Sequence, residues 1–340
     1  MSEITSVQGK RVTLIGGAGF IGHNLALHLK AQGADVSIID GLEVNNLMAF
    51  ASADVDAVNR NLYLDILNER QNLLRQKDIP LFVQDAREYH ALTKLLSDLK
   101  PQVIVQLAAV SHANKSNKDP YSTFDHSFRT LENALDASRD TAEHFIFFSS
   151  SMVYGNFKEA EVTEESHCEP IGIYGALKLS GELLVKAYNQ VFDLPYTIIR
   201  PSALYGERCV SRRVGQIFIE NALTGKEITI SGDGSDRLDF TYIGDLARGV
   251  QSVIENSSAR NQTFNITYGE SRSLAQMAEL MRDHFPELEI RYVPKDKLTP
   301  DRGTLSVKKA KELLGYQPEF PLEKGYVDYI NWYKEFYESR

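Results

Sequence analysis

Residues 12–22 read Val12-Thr13-Leu14-Ile15-Gly16-Gly17-Ala18-Gly19-Phe20-Ile21-Gly22. The apolar run before the first glycine is typical of a buried strand, and the segment from Leu25 to Leu29 has the apolar spacing of a helix. Glycines at 16, 19 and 22 allow a tight turn, close approach of an anion to backbone N–H groups, and close packing of helix on strand. We therefore expect a strand, a phosphate-binding turn and a helix, in this order.

An acidic residue follows this unit at the spacing that a dinucleotide site requires. Asp40 ends the next apolar run about 20 residues after the turn, where it can accept hydrogen bonds from the adenosine ribose hydroxyls. Its charge repels a 2′-phosphate, and Gly41-Leu42-Glu43 provides no arginine to neutralise one, so NAD is favoured over NADP. The alternative is that Asp40 is only a turn residue at a strand end. Asp85, after a later strand, can meet the adenine amino group or cap the next helix.

Short apolar runs alternate with helical segments through the first 200 residues. Runs of this kind suit strands that are buried on both faces, and alternation with helices requires parallel crossovers. The fold class is therefore α/β, a doubly wound (Rossmann) parallel sheet. The predicted strands are Val12–Ile15, Val36–Ile39, Leu81–Val83, Val103–Leu107, Phe145–Phe148 and Tyr196–Ile199.

The pattern changes after Arg200-Pro201. Shorter strands at Ile228–Ile230, Thr263–Ile266 and Ile290–Val293, with Gly-rich turns between them, indicate a smaller C-terminal α+β domain. We place the dinucleotide-binding domain at residues 1–200, with 238–262 returning to it, and the smaller domain, which would bind substrate, at 201–340. Residues 41–80 are longer than one α/β connection needs, and their apolar spacing from Leu62 to Ile79 predicts an inserted surface helix of undecided role.

Composition and charge exclude several classes of protein. The 340 residues carry 37 Lys and Arg against 46 Asp and Glu, a formal net charge of −9, which argues against nucleic acid or an anionic membrane as the main partner. With 43% hydrophobic residues the chain can bury a large core, and its apolar runs are too short to span a membrane. Two cysteines form no disulfide framework, and the scattered histidines form no metal site. A cytoplasmic protein is expected.

A possible proton-transfer unit lies in the middle of the chain. Tyr174 and Lys178 open a predicted helix, and a spacing of four places both on one face, where the ammonium would lower the phenol pKa. Tyr174 could then accept a proton near neutral pH. The alternative is a solvated surface pair. Ser150 strengthens the first interpretation, because it follows a strand whose carboxyl end points into the crevice where such sheets bind ligands.

The ordered motifs resemble those of extended short-chain dehydrogenases/reductases, and specifically the NAD-dependent nucleotide-sugar epimerase/dehydratase group. They are Gly16-x-x-Gly19-x-x-Gly22, Leu107-Ala108-Ala109, Ser150-x-x-Val153-Tyr154-Gly155, Tyr174-x-x-x-Lys178, Arg200-Pro201 with Tyr205-Gly206, Asp239-Phe240-Thr241-Tyr242-Ile243 with Asp245, and Lys309-Ala310-Lys311 to Leu314-Gly315-Tyr316.

The resemblance implies roles for particular residues and a homodimer paired through two long helices per subunit. The catalytic set would be Ser150, Tyr174 and Lys178. The NAD-binding set would be Gly16, Gly19, Phe20, Ile21, Gly22, Asp40, Asp85, Ala86, Leu107, Ala108, Ala109, Tyr174, Lys178 and Pro201.

Two departures from the family pattern concern the substrate diphosphate. Ala203 stands where many sugar-nucleotide enzymes have Asn, and Leu238 stands where Arg often precedes Asp239. Other cations must then hold the diphosphate, from among Arg208, Arg212, Arg213, Arg237 and Arg302. The expected substrate-binding set is Ser111, His112, Ser151, Arg208, Arg213, Arg237 and Arg302.

The residues after Ser150 narrow the reaction. The resemblance implies that 4,6-dehydratases have Asp and Glu where this chain has Ser151 and Met152. Simple redox chemistry at one carbinol, most often C4, is therefore expected. We favour a nucleotide-sugar 4-epimerase, with a 4-dehydrogenase or ketoreductase as the alternative. Two further classes stay open at this point: a non-catalytic NAD-binding or RNA-binding relative, and a dehydrogenase of a sterol or flavonoid.

Overall fold

The computed structural model describes residues 5–51, 58–110, 113–295 and 298–340. Its strands are, in chain order, β1 (Arg11–Ile15), β2 (Asp35–Asp40), β3 (Leu81–Val83), β4 (Val103–Gln106), β5 (His144–Phe148), β6 (Glu161–Val162), β7 (Tyr196–Arg200), β8 (Leu204–Tyr205), β9 (Ile228–Ser231), β10 (Arg237–Leu238), β11 (Thr241–Tyr242), β12 (Gln262–Asn265), β13 (Arg272–Ser273), β14 (Ile290–Val293) and β15 (Thr304–Leu305).

Helices follow most of these strands, and short 3₁₀ or π turns occur at Asp125–Arg129, Ser151–Tyr154 and Ser257–Ala259. The α-helices are α1 (Phe20–Ala31), α2 (Leu47–Ala51), α3 (Arg60–Gln76), α4 (Tyr89–Leu99), α5 (Ala113–Lys118), α6 (Pro120–Phe124), α7 (Thr130–Ser138), α8 (Gly172–Phe192), α9 (Val214–Leu223), α10 (Ile243–Glu255), α11 (Leu274–Arg282), α12 (Lys308–Leu314) and α13 (Leu322–Glu338).

The central sheet has seven parallel strands in the order β12-β7-β5-β4-β1-β2-β3. The order reverses direction at β1, which creates a crevice at the carboxyl ends of β1 and β4. Alternate residues of each strand point to opposite faces. Val12 and Leu14 join one apolar core, whereas Ile15 joins the other. The predicted doubly wound parallel sheet is therefore confirmed.

One strand lies elsewhere than the sequence indicated. We grouped Thr263–Ile266 with the smaller domain, but β12 pairs in parallel with β7 and forms an edge of the central sheet. Its residues Phe264 and Asn265 are fully buried there, and only the long-range pairing with β7 decides to which sheet the strand belongs. The segment that returns to the large sheet includes β12.

The rest of the C-terminal region is built from two-stranded sheets and helices. β9 pairs with β14, β10 with β13, β8 with β11, and β15 with β6. Helix α13 packs against α9 and α11 with a row of buried tyrosines, Tyr326, Tyr329 and Tyr333. This region forms the α+β part that the sequence predicted.

The inserted helix is real, but it is not simply a surface helix. α3 buries one face, including Leu67 and Leu74, against the core that contains α1. On the same face Tyr63 donates a hydrogen bond to buried Glu220 of α9, at 2.8 Å. The helix therefore packs against both the dinucleotide-binding region and the C-terminal region.

Candidate active site

A cleft runs along the carboxyl ends of β1 to β4, where the glycine-rich turn begins α1. Gly16 has φ +78°, and a Cβ there would lie 2.5 Å from the backbone nitrogen of Ala108. A Cβ on Gly22 would overlap the Cα of Gly17, so both positions exclude other residues. The predicted cofactor residues that line the cleft are Gly16, Gly19, Phe20, Ile21, Gly22, Asp40, Asp85, Ala86, Leu107, Ala108 and Ala109.

Asp40, at the end of β2, is held in the cleft lining by backbone donors. Its carboxylate accepts hydrogen bonds from Ala18 N at 2.9 Å and from Leu42 N at 2.7 Å. Burial raises the pKa of Asp40, and these hydrogen bonds and the charge of Arg70 oppose the rise. A carboxylate can accept about four hydrogen bonds, so two acceptor positions are left for ribose hydroxyls.

Asp85 lies farther along the cleft and is bound by Arg87. The Arg87 guanidinium donates to both Asp85 oxygens, with the shortest contact at 2.6 Å, and also to Glu43 at 2.7 Å and Asp125 at 3.3 Å. Burial alone would raise the pKa of Asp85, but the hydrogen bonds from Arg87 outweigh it and lower the pKa. Asp85 therefore carries a charge that Arg87 largely neutralises.

The cleft residues fit a dinucleotide. A Cβ on Gly19 would have the Gly16 carbonyl oxygen, at 3.4 Å, as its nearest neighbour, so the turn is open toward the cleft. Arg213 also lines the cleft, and its buried Nε has no hydrogen-bond partner within the described residues. Its guanidinium carbon lies 6.0 Å from the ring of Phe20, at the N-terminus of α1, and an unpartnered guanidinium nitrogen near a helix N-terminus suits a pyrophosphate. No other Arg or Lys is found among the described residues that line the cleft.

Ser150, Tyr174 and Lys178 come together where the turn after β5 packs against α8, and none of the three is among the described residues that line the cleft. Ser150 follows β5, and its Oγ accepts a hydrogen bond from Met152 N at 3.2 Å. Lys178 lies one turn further along α8, with its Nζ 6.0 Å from the centre of the Tyr174 ring. This Nζ donates to the Phe148 carbonyl oxygen at 2.6 Å, and Lys178 is only 7% exposed. The alternative of a solvated surface pair is therefore wrong.

The direction of the pKa shift of Tyr174 differs from the prediction. Burial raises the pKa of Tyr174, while the hydrogen bond with Ser150 and the charge of Arg213 only partly oppose the rise. Burial also lowers the pKa of Lys178 to about 8, with Glu182 acting in the opposite direction. Desolvation of both groups therefore outweighs the effect of Lys178 on which the sequence argument relied.

A buried cluster that the sequence analysis did not predict supports these residues. It comprises Ser149, Tyr154, Glu182 and Arg200, and we call it the Arg200 cluster. Arg200 binds Glu182 at 2.7 Å, with side chains 5% and 1% exposed, and donates to the Tyr154 hydroxyl at 2.9 Å. Ser149 donates to Glu182 at 2.5 Å. Glu182 is four residues after Lys178 on the predicted helix, so the spacing could have indicated that the two side chains lie on one face.

Pro201 and Ser151 lie at the same end of the sheet but are buried. Ser151 N donates to the Pro201 carbonyl oxygen at 2.9 Å, and the Ser151 residue is 2% exposed. Neither residue is among those that line the cleft. Their predicted contacts with cofactor and substrate remain predictions.

The structure separates the arginines predicted to bind substrate. Arg208 donates to His23 at 3.1 Å and to Asn24 at 2.9 Å, both on α1, and Arg237 donates to Ser271 at 3.0 Å. Neither lines the cleft, because neighbouring side chains already hold them. Arg302 also lies outside the cleft lining, but its buried Nε has no partner within the described residues, and burial lowers its pKa to about 10.

Two residues that were predicted to bind substrate, Ser111 and His112, lie outside the described residues. Within the described ranges, no group of three or more His, Cys, Asp or Glu side chains could hold a metal ion. In the same part of the chain, no helix combines the length and apolar character needed to cross a bilayer.

Comparison with known proteins identifies the family to which this chain belongs. Residues 12–267 match the NAD dependent epimerase/dehydratase family, and the chain belongs to it. It is therefore an enzyme of this NAD-dependent class, and the resemblance to extended short-chain dehydrogenases/reductases is confirmed.

Particular relatives are similar over nearly their whole length. An uncharacterized UDP-glucose epimerase of Bacillus subtilis is 29% identical over 97% of this chain and 99% of its own. A dTDP-glucose 4,6-dehydratase of Xanthomonas campestris is 25% identical over 94% of this chain and 91% of its own. The UDP-glucuronic acid 4-epimerase of Bacillus cereus, solved with UDP-glucuronic acid and NAD, is 26% identical with a TM-score of 0.84, over 96% of this chain and 100% of its own.

The Arg200 cluster leads to a stability prediction. Replacing Arg200 by Leu should lower the free energy of unfolding by about 3–5 kcal/mol, because Glu182 is left as an unpaired buried charge. The double variant Arg200→Leu with Glu182→Leu should recover much of this loss. Urea unfolding monitored by tryptophan fluorescence and circular dichroism measures both effects.

The matched control is the exposed pair of Lys158 and Glu169, at 2.9 Å with side chains 72% and 65% exposed. Lys158→Met should change the unfolding free energy by less than about 1 kcal/mol. A double variant as unstable as Arg200→Leu alone would contradict the assignment of the loss to the unpaired carboxylate.

Proposed function

We propose that this enzyme is a nucleotide-sugar 4-epimerase that uses bound NAD and acts by reversible hydride transfer at C4 of the sugar. The observation that carries the proposal is the juxtaposition of Tyr174 and Lys178, with the Lys178 Nζ 6.0 Å from the Tyr174 ring, where α8 packs against the turn that begins after Ser150. When bound, NAD supplies the hydride acceptor and donor. The similarity to solved 4-epimerases supports the same reaction.

In this proposal the chain itself moves the proton and orients the reacting groups. Tyr174 takes the proton from the sugar hydroxyl and returns it in the reverse step. Ser150, at the turn against which α8 packs, shares a hydrogen bond with the same sugar oxygen. Lys178, anchored on the Phe148 carbonyl, holds the nicotinamide ribose and provides positive charge near the phenol. Asp40 would bind the adenosine ribose, and Pro201 would contribute to the carboxamide site.

The side chains after Ser150 favour epimerisation over dehydration. Elimination of water from a neighbouring carbon needs an additional acid and an additional base. Neither Ser151 nor Met152 has a side chain that ionises near neutral pH. Oxidation and reduction at one carbon need only the three groups that are present.

We assign the substrate diphosphate to Arg213 and Arg302. Each carries a buried Nε without a partner among the described residues, whereas Arg208 and Arg237 are engaged by neighbouring side chains. A bound diphosphate would supply the missing acceptors. Ser111 and His112 stay part of the proposed substrate site, and a cytoplasmic location stays a prediction.

A homodimer is also proposed, paired through α8 and the neighbouring helices of each subunit. Helix α8 exposes Leu183 by 61% and Val191 by 68%, and the adjoining α6 exposes Tyr121 by 86% and Phe124 by 44%. Large apolar side chains exposed on adjacent helices are typical of a surface that a second subunit covers. The arrangement would place the helix that carries Tyr174 and Lys178 at the interface.

The central test is Tyr174→Phe. Removing the phenol oxygen should lower kcat by at least about 100-fold, because proton transfer is lost, while NAD binding stays within a few-fold. Tyr188→Phe, on the same helix but outside the site, is the matched control and should keep its activity. Turnover is measured by mass spectrometry and NMR on a panel of UDP-, GDP-, CDP- and dTDP-sugars deuterated at C4.

The fate of the deuterium separates the two enzyme classes. An epimer that retains deuterium at C4 supports the 4-epimerase. Stoichiometric NADH with release of a keto-sugar would replace it by a 4-dehydrogenase. Turnover that survives in Tyr174→Phe would remove Tyr174 from the mechanism.

The ribose assignment is tested with Asp40→Ala. Loss of the carboxylate should weaken NAD about tenfold or more and weaken NADP less, because the variant no longer repels a 2′-phosphate. The control is Asp35→Ala, at the exposed opposite end of β2. Equal losses for NAD and NADP would mean that Asp40 acts only by holding the turn.

The proposed interface is tested with Leu183→Glu. A carboxylate in an apolar interface is costly to desolvate, so the variant should shift from dimer to monomer in sedimentation equilibrium, with a dissociation constant at least about 100-fold higher. Leu313→Glu, on exposed α12, is the control. A wild-type chain that sediments as a monomer at micromolar concentration would refute the dimer.

A further inference from the structure

Arg70, on the inserted helix α3, is a fully buried cation without a carboxylate partner. It is 1% exposed and is among the largest completely buried side chains. Its Nε donates to the Arg208 carbonyl oxygen at 2.9 Å, its second Nη donates to the same oxygen, and its first Nη reaches the Ala18 carbonyl oxygen at 3.4 Å. Within the described residues, no salt bridge joins Arg70 to a carboxylate.

A buried charge of this kind is expensive, so its position needs a reason. Desolvation of a guanidinium costs several kcal/mol, and carbonyl oxygens repay only part of it. A leucine would fill the same space in the core that contains α1 at lower cost. The charge of Arg70 is therefore expected to act on something nearby.

The first Arg70 contact fixes the glycine-rich turn. Ala18 is inside that turn, and both its backbone N–H and its carbonyl oxygen are held by hydrogen bonds. Its N–H donates to Asp40, and its carbonyl accepts from Arg70 and also from Asn46 at 3.1 Å. With this carbonyl held away from the cleft, the N–H groups that follow at the start of α1 are left to face a ligand.

The second contact fixes the segment that carries Arg213. Arg208, whose carbonyl Arg70 binds twice, has a left-handed backbone with φ 62°. Three residues later the chain reaches Ser211 and then Arg213, both of which line the cleft. Arg70 therefore lies where the phosphate turn and the Arg213 segment meet.

Electrostatic effects of Arg70 are felt by the groups around the turn. Burial raises the pKa of Asp40, and Arg70 opposes that rise. His23, on α1, has its pKa lowered well below the usual value by burial and then by Arg70 and Arg208. Burial lowers the pKa of Arg70 itself to about 10, so it remains charged at neutral pH.

We propose that Arg70 is a positioning residue for the cofactor phosphates, which fixes the Ala18 peptide and the Arg208 to Arg213 segment and places a positive charge beneath the phosphate turn. This gives the inserted helix a role in cofactor binding. The inference rests on the proposed use of a bound dinucleotide. It predicts a selective effect on phosphate, and not on adenosine.

The test compares ligands that differ in phosphate. Isothermal titration of ADP and adenosine into the full chain, at low and high salt, is made for wild type, Arg70→Gln and Arg70→Lys. Glutamine keeps amide donors for the carbonyls and loses the charge, whereas lysine keeps the charge and loses the planar fork. We expect the ADP dissociation constant to rise about tenfold in Arg70→Gln and about threefold in Arg70→Lys, with adenosine unchanged within about twofold.

The control is Arg75→Gln, an exposed arginine on the same helix, which should leave both ligands unaffected. Equal weakening of ADP and adenosine by Arg70→Gln would reduce Arg70 to a structural role and overturn the inference, as would no weakening of ADP. If neither variant folds, the titrations of the wild-type chain test the inference. The inference is also overturned if ADP binds the wild-type chain no more tightly than adenosine does and its affinity does not depend on salt. A wild-type chain that binds no NAD refutes the proposed function itself, whereas NAD binding with unchanged ADP affinity in Arg70→Gln refutes only the inference.

Discussion

The close backbone contact between the turn after β1 and the chain after β4 is the constraint on which the site depends. Gly16 can lie against Ala108 only because it has no side chain, and the two loops then form the floor of one cleft. The reversal of strand order at β1 opens the space above them. Everything that the site needs is arranged relative to this floor, including the donors at the start of α1 and the carboxylate at the end of β2.

Sequence patterns predicted those features that depend on local chemistry. The glycine turn, Asp40, and the Tyr174 and Lys178 pair all follow from residue type and spacing, and the apolar runs located the central strands within one or two residues. Interactions between distant segments could not be predicted in this way. The position of β12 is set by pairing with β7, which is far away in the chain, and the ion pair of Glu182 with Arg200 depends on how α8 lies against β7. Arg70 carries no signal at all, because an arginine on an amphipathic helix normally faces water.

The ionisation of Tyr174 shows why spacing is an incomplete guide to reactivity. Four residues of separation place Lys178 one turn away, but its ammonium is bound to the Phe148 carbonyl and is itself destabilised by burial. In the chain alone, desolvation outweighs the nearby charges and raises the pKa of the phenol. Tyr174 therefore needs more positive charge than this geometry provides, and Arg213 is the second cation that the fold brings toward it. A dry site of this kind makes proton transfer sensitive to what is bound, because each added charge acts at low dielectric.

The cleft carries charges of both signs. Its lining includes the carboxylates of Asp40, Glu43 and Asp85, and Arg87 neutralises two of them from outside the lining. Arg213 is in the lining, and Arg70 is buried behind the glycine-rich turn. Since Ala203 and Leu238 lack the polar groups often used for the substrate diphosphate, Arg213 must serve both diphosphates in the proposed reaction, with Arg302 as the second cation for the substrate. Segments from both regions of the molecule meet at these cations, so in this proposal cofactor binding would also order the part of the chain that receives the substrate.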